Sequence, residues 1–108
     1  MTSQQLSALT LPARLGSRLS ARKLTEASLS KDTTFVAIDA SGAQAISPGA
    51  IDEIVLSLME SKVEKVIVAN ASERFHRIFQ RQHDLRAGNA GSFLLIFQEI
   101  SEEKLLRA

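Results

Sequence analysis

The stretch at residues 34–58, TFVAIDASGAQAISPGAIDEIVLSL, limits most strictly what this chain can fold into. It opens with a short apolar run, residues 35–38, of the kind found in a strand that is covered on both faces. Asp39 follows the run, and Ser41 with Gly42 then interrupts it. Further on, apolar residues recur at the spacing of one helix face, at Ile51, Ile54, Val55 and Leu58. The pattern predicts a buried strand, a tight loop and a helix.

The residues before this helix suit a helix N-terminus. Ser47 is a good N-cap, because its hydroxyl can accept a hydrogen bond from a free amide of the first turn. Pro48 suits the first helical position, where its missing N–H costs nothing. Asp52 and Glu53 place negative charge near the positive end of the helix dipole, and both carboxylates could face solvent. We therefore predict a helix that begins at Pro48.

A second apolar run at residues 65–69 completes a β-α-β unit, and such a crossover makes its two strands parallel. A short edge strand is predicted at residues 9–12, and a helix at 17–28 with Leu15, Leu19, Leu24 and either Ala21 or Arg22 near its apolar face. A third helix is capped by Ser72 and has Phe75, Ile78 and Phe79 on its apolar face. A strand at 92–97 and a short terminal helix capped by Ser101 complete the prediction. We predict an α/β fold with a small, mainly parallel or mixed sheet and flanking helices. Residues 1–108 would form one domain, with residues 1–8 flexible.

The amino-acid composition excludes several kinds of binding site and several classes of protein. The chain has 108 residues, no cysteine and a net charge of +1, so disulfides and thiolate zinc sites are excluded. The near-neutral charge and the absence of Trp and Tyr argue against nucleic-acid binding. No apolar run is long enough to span a bilayer, and the amino terminus lacks a signal-peptide pattern. The expectation is a soluble, cytoplasmic protein.

Catalytic signatures are missing from the sequence. It contains no Walker loop, no dinucleotide-binding fingerprint and no Gly-x-Ser-x-Gly elbow. Asp39 could form a carboxylate pair with Asp52 or Glu53, or act beside Ser47, but at a strand end it is more often a hydrogen-bond acceptor that ties a loop. His76 and His83 are interpreted as surface histidines without metal-ligand spacing. We expect no enzyme activity, no catalytic residue, no metal and no cofactor.

Arginines recur at two places in the chain: Arg14, Arg18 and Arg22, spaced four apart, at and just before the first helix, and Arg74, Arg77 and Arg81 in the third helix. The simplest interpretation is a solvated helix face. The alternative is a surface that binds nucleic acid or another anionic ligand, with Arg18, Arg22, Arg74 and Arg77 as its candidate residues.

Three stretches together resemble a known family. The strand end at residues 38–39 and the ISPGAIDEI segment at 46–54 resemble the strand, loop and helix of STAS domains, the fold of sulfate transporters and anti-sigma-factor antagonists. They are closer still to a bacterial STAS-like domain of unknown function. The SRLSARKL segment at 17–24 and the NASE segment at 70–73 are similar to two further motifs of that group. The resemblance covers residues 15–79 and implies a STAS-like architecture.

This resemblance implies a non-enzymatic regulatory module. Anti-sigma-factor antagonists bind a kinase-like ATPase of the GHKL type and are released when a serine at the start of the helix is phosphorylated. Ser47 aligns with that serine, although Ile46 and Pro48 replace the usual Asp before it and Ser or Thr after it. We predict that the loop and helix at 41–54 dock a protein partner, through Asp39, Ser41, Ser47, Pro48, Gly49, Asp52 and Glu53. The sequence leaves the partner's identity and the oligomeric state open, a homodimer included.

Overall fold

The computed structural model describes residues 6–88 and 92–99, which contain alternating strands and helices. In chain order these elements are β1 (Leu6–Thr10), β2 (Arg14–Leu15), α1 (Arg18–Ser28), β3 (Phe35–Asp39), β4 (Ala45–Ile46), α2 (Pro48–Met59), β5 (Lys65–Ala69), α3 (Glu73–Arg86) and β6 (Leu94–Gln98). The predicted α/β class is confirmed. Residues 6–8, predicted as part of a flexible terminus, belong to β1. The predicted helix at Ser101 lies outside the described residues.

Four strands form the main sheet in the order β1-β3-β5-β6, and each neighbouring pair is parallel. Strands β2 and β4, which the sequence did not predict, form a separate two-stranded parallel pair. Helix α1 packs against α2, and α2 packs against α3, so the three helices form one layer. Within residues 6–88 and 92–99, no helix covers the opposite face of the sheet.

The strands alternate in burial because only one sheet face is covered. Val36 and Ile38 of β3 and Val66 and Val68 of β5 point toward the helices and are fully buried. Their neighbours Phe35, Ala37 and Ile67 on the other face are only half-buried. The prediction that β3 is covered on both faces is therefore wrong for the described part of the chain.

Helix α2 is the central helix of the layer, and its predicted apolar stripe is confirmed. All four residues of that stripe are fully buried, namely Ile51, Ile54, Val55 and Leu58. In α1, by contrast, Leu19 is 64% exposed and is not part of the apolar face. Ala21 and Thr25 are buried there instead, with the Thr25 hydroxyl donating to the Ala21 carbonyl at 2.8 Å. Small buried residues let α1 approach α2 closely.

Ser57 of α2 carries a buried hydroxyl that has no hydrogen-bond partner within the described residues. An unsatisfied buried polar atom lowers stability because it has given up its hydrogen bond to water. We expect Ser57→Ala to raise the free energy of unfolding by about 1 kcal/mol, measured by urea denaturation. A variant less stable than the native protein would show that the hydroxyl has a partner.

Candidate functional site

The loop after β3 lies at the carboxyl edge of the main sheet and is tied down by short hydrogen bonds. The Asp39 carboxylate accepts from the Ser41 amide at 3.0 Å and from the Ser41 hydroxyl at 2.7 Å. The prediction that Asp39 ties the loop is confirmed. Further along, the amides of Gln44 and Ala45 both donate to the Ala13 carbonyl, at 2.9 and 2.8 Å. The exposed loop is therefore held in one conformation.

Ser47 joins this loop to α2 through bonds on both sides. Its hydroxyl oxygen accepts from the Ala50 amide at 3.1 Å, which confirms Ser47 as the N-cap. The same hydroxyl donates to the Gly16 carbonyl at 3.1 Å, and the Ser47 amide donates to the Leu15 carbonyl at 2.9 Å. Pro48 follows at the start of the helix and is exposed. Ser47 therefore links the start of α2 to the segment that precedes α1.

The two bonds of the Ser47 hydroxyl predict how its variants behave. We expect Ser47→Ala to lower the free energy of unfolding by about 1 kcal/mol, because the Ala50 amide loses its acceptor. Ser47→Asp keeps an acceptor at the cap and places a negative charge beside the helix N-terminus, but it loses the hydroxyl that donates to the Gly16 carbonyl, so we expect a smaller loss than for Ser47→Ala. Urea denaturation of both variants tests this order. Equal losses in the two variants would show that the cap contributes little.

A shallow depression of about 410 Å³ lies beside Ser47. It is lined by Gly16, Gln44, Ala45, Ile46, Ser47 and Arg74, and we call it the loop-edge depression. Arg74, an exposed residue of α3, donates from its guanidinium to the Ile46 carbonyl at 3.2 Å. A hydroxyl, a guanidinium and two exposed loop residues, Gln44 and Ala45, thus share one accessible surface. Gly16 was not singled out from the sequence, and it reaches this surface through the pairing of β2 with β4. Gln44 lies within the predicted docking segment at 41–54 but was not named individually.

Asp52 and Glu53 do not belong to this surface. They lie beyond the first turn of α2 and are 5% and 9% exposed, so the expectation that they face solvent is wrong. The Asp52 carboxylate accepts from Arg86 at 2.6 and 2.7 Å and from Arg18 at 2.8 Å. The reason is the central position of α2, whose flanks face α1 and α3 rather than water. Both acids therefore connect helices.

Glu53 completes an ion-pair network between the helices. Its carboxylate accepts from Arg22 at 2.6 Å, and Arg22 also pairs with Glu60 at 2.8 Å. The guanidinium of Arg86, together with that of Arg18, lowers the pKa of Asp52 despite burial of the carboxyl. Arg86 was not singled out from the sequence, and its position in the last turn of α3 gave no sign of a distant acidic partner.

The predicted anion-binding arginines are not brought together. Arg18 and Arg22 pair with the acids of α2, although the Arg18 side chain remains 55% exposed, as the interpretation of a solvated face predicts. Gly49 lies beneath Arg18, since a Cβ there would approach the guanidinium group at 3.6 Å. Arg77 pairs with Glu73 at 3.6 Å on the exposed side of α3. Arg74 alone reaches the loop-edge depression.

The two histidines differ from each other. His76 is an exposed residue and stacks on Phe97 at 3.7 Å between ring centroids. The side chain of His83 is only 13% exposed, and its Nε2 lies 3.0 Å from the Phe93 carbonyl oxygen. The surface interpretation therefore fails for His83, which connects α3 to the start of β6. The part of the chain that the structure describes contains no group of acids and histidines that could hold a metal ion.

Comparison with protein-family models, curated proteins and solved structures gives no match to this chain, so the site is interpreted from its own geometry. None of the described helices is long and apolar enough to cross a membrane. Of the seven residues predicted to dock a partner, Asp39, Ser41, Ser47 and Pro48 lie along the loop and the start of α2. Gly49, Asp52 and Glu53 face neighbouring helices instead.

Proposed function

We propose that this chain is a non-enzymatic regulatory module that binds a protein partner through the loop-edge depression and the exposed loop beside it. In keeping with the resemblance to STAS domains, we propose a STAS-like architecture and a kinase-like ATPase of the GHKL type as the partner class. The partner would contact Ser41, Gln44, Ala45 and Pro48. Asp52 and Glu53 would support this surface from inside, by fixing α2 against its neighbours.

The observation that carries this proposal is the combination of exposure and rigidity in the loop. Ser41, Gln44 and Ala45 are exposed, yet the loop backbone is bound to Asp39 and Ala13 at 2.8–3.0 Å. A surface that is already ordered loses little conformational entropy when a partner binds, which favours affinity. The surface is also shallow, which suits a protein partner better than an enclosed small ligand.

Ser47 gives this surface a means of regulation. Its hydroxyl lies at the wall of the depression, next to the amides of the first turn of α2 and close to Arg74. A phosphate on Ser47 would add nearly two negative charges where a partner docks. We propose that phosphorylation of Ser47 releases the partner, and that Ser47→Asp reproduces this release without loss of the helix cap.

The test compares two alanine positions that are both exposed. Ala45 lines the depression, whereas Ala27 lies on α1 away from it. The partner is first recovered by co-purification from the native cells and mass spectrometry, and is then titrated against each variant by calorimetry. We expect Ala45→Arg to weaken binding about tenfold or more, and Ala27→Arg to leave it unchanged. Equal affinities of the two variants would contradict docking at the depression.

Anion binding through arginine is the second candidate, and it is favoured only by the position of Arg74 beside Ser47. It predicts that inorganic phosphate binds the isolated protein with an affinity that falls as salt increases. Arg74→Ala would abolish this binding, and Arg77→Ala, the exposed control on the same helix, would preserve it. NMR titration distinguishes this outcome from docking of a protein partner.

A further inference from the structure

The face of the main sheet that carries no helix presents three rows of side chains, which we call the open face. The row at the amino ends of the strands contains Leu6, Phe35, Lys65 and Leu94. The middle row contains Ala8, Ala37, Ile67 and Ile96. The row at the carboxyl ends contains Thr10, Asp39, Ala69 and Gln98. Apolar residues thus fill the middle row and most of the first.

Such a face is unusual for a parallel sheet, because parallel strands are normally covered on both sides. Here Leu6 is 64% exposed and Leu94 is 61% exposed. A depression of about 330 Å³ lies between Leu6 and the row at the carboxyl ends, with Ala8 and Ala37 among its lining residues. The small side chains of these two alanines leave room for side chains from another molecule.

The open face carries one positive and one negative charge, and they lie at opposite ends. The Lys65 ammonium lies 5.0 Å from the centre of the Phe35 ring in the first row. Asp39 lies in the third row, about 13 Å further along the strand direction. Among the residues that the structure describes, neither side chain forms an ion pair. Within residues 6–88 and 92–99, each charge on this face therefore lacks an ion-pair partner.

We propose that the open face binds a second copy of this chain, with a two-fold axis between the sheets and perpendicular to the strands. This axis places the first row of one copy over the third row of the other. Lys65 then lies over the partner's Ala69, whose neighbour in register is Asp39, about 4.8 Å to the side. The same pairing is repeated by symmetry, so both charges of each copy are matched. An axis parallel to the strands would bring the two lysines together instead.

The open face consists of four strands of five residues each, so the sheet itself has an outline of roughly 19 by 17 Å, about 300 Å². A stable interface buries roughly 800 Å² per partner, so the dimer would also bury side chains and loops around the rim of the sheet. Two sheets packed face to face would lie about 10 Å apart, with the helices of both copies outside. This inference does not depend on the docking role of the loop-edge depression, which lies at a different surface.

The first test measures the mass of the protein in solution by sedimentation equilibrium. We expect a monomer–dimer equilibrium in which the protein is fully dimeric at a protein concentration of about 1 mM or below. Leu94→Glu should raise the dissociation constant about tenfold or more, because it places a charge in the interface. Leu85→Glu is the matched control, since Leu85 is also 61% exposed but lies on α3. Equal dissociation constants for the two variants would overturn the proposal.

The second test uses charge reversal to check the orientation. Lys65→Glu and Asp39→Lys should each weaken self-association about tenfold, whereas an equimolar mixture of the two variants should form a heterodimer of native strength. Asp39→Asn, which retains an acceptor for Ser41, should also weaken the dimer and serves if Asp39→Lys does not fold. A mixture that stays monomeric would overturn the arrangement.

Two other occupants of the open face would give different results. If residues 100–108 cover it, the protein stays monomeric and a cysteine introduced as Ile67→Cys resists alkylation until those residues are deleted. If an unrelated protein covers it, the purified chain stays monomeric and that cysteine reacts freely. Either result would overturn the proposal of a second copy.

Discussion

Replacing Asp52 with alanine is expected to lower the free energy of unfolding by about 3 kcal/mol, measured by urea denaturation. The carboxylate is buried and pairs with Arg18 and Arg86, so its removal leaves Arg86 without this acceptor and Arg18 with only the longer contact to Glu53 at 3.5 Å. Both arginines also reach solvent, which places the loss at the lower end of the range for buried ion pairs. Because these pairs hold α1 and α3 to α2, we expect the effect to be global.

The control is Asp32→Ala, which removes an exposed carboxylate and should change stability by less than about 0.5 kcal/mol. The pH dependence gives a second measurement. Since the arginines lower the pKa of Asp52 in the folded protein, its contribution is complete above the unfolded pKa of about 3.9 and is lost as pH falls through the folded pKa. Asp52→Ala should therefore flatten the acid limb of the stability curve. A variant with native stability and an unchanged acid limb would contradict the ion-pair network.

Phe79→Ala should lower the free energy of unfolding by about 4 kcal/mol. Phe79 is fully buried, and its ring lies 5.7 Å from that of Phe75 and 6.1 Å from that of Phe97, between centroids. Its removal leaves a cavity between α3 and the sheet, where rigid strands limit relaxation. A loss of this size is a large part of the 5–15 kcal/mol typical of a small domain.

Thermal and urea denaturation followed by circular dichroism measure this loss. Leu85→Ala on the same helix is the control, and it should change stability by less than about 0.5 kcal/mol because Leu85 is exposed. A similar loss in both variants would mean that α3 does not pack through Phe79.

The sequence predicted the local elements well, because local signals determine them. Ser47 and Ser72 act as caps where a serine precedes an apolar periodic segment, and both bond the expected amide. The stripe of α2 follows the helical period closely. The caps and the stripe depend on neighbours within a few residues. The parallel pairing of β3 with β5 could be predicted as well, because the helix between them forms a crossover connection.

The candidate site was harder to predict, because it depends on which elements become neighbours. In the sequence, Asp52 looks like an acid that interacts with the positive end of a helix dipole. It is buried only because α2 lies between two helices that carry arginines. The apolar run of β3 indicated two covered faces, yet the described helices all lie on one side. Leu19 similarly matched the helical period but faces away from α2. Periodicity identifies a surface but does not specify the element that packs on it.

The strand order β1-β3-β5-β6 also has a consequence for how the chain is synthesised. In the main sheet, each strand pairs with the strand that comes before it in the sequence. Every new strand is therefore added at a free edge of the sheet. No strand must be inserted between two that are already paired, so the sheet can grow strand by strand as the polypeptide leaves the ribosome. The amino-terminal units can then begin folding before the last strand has been translated.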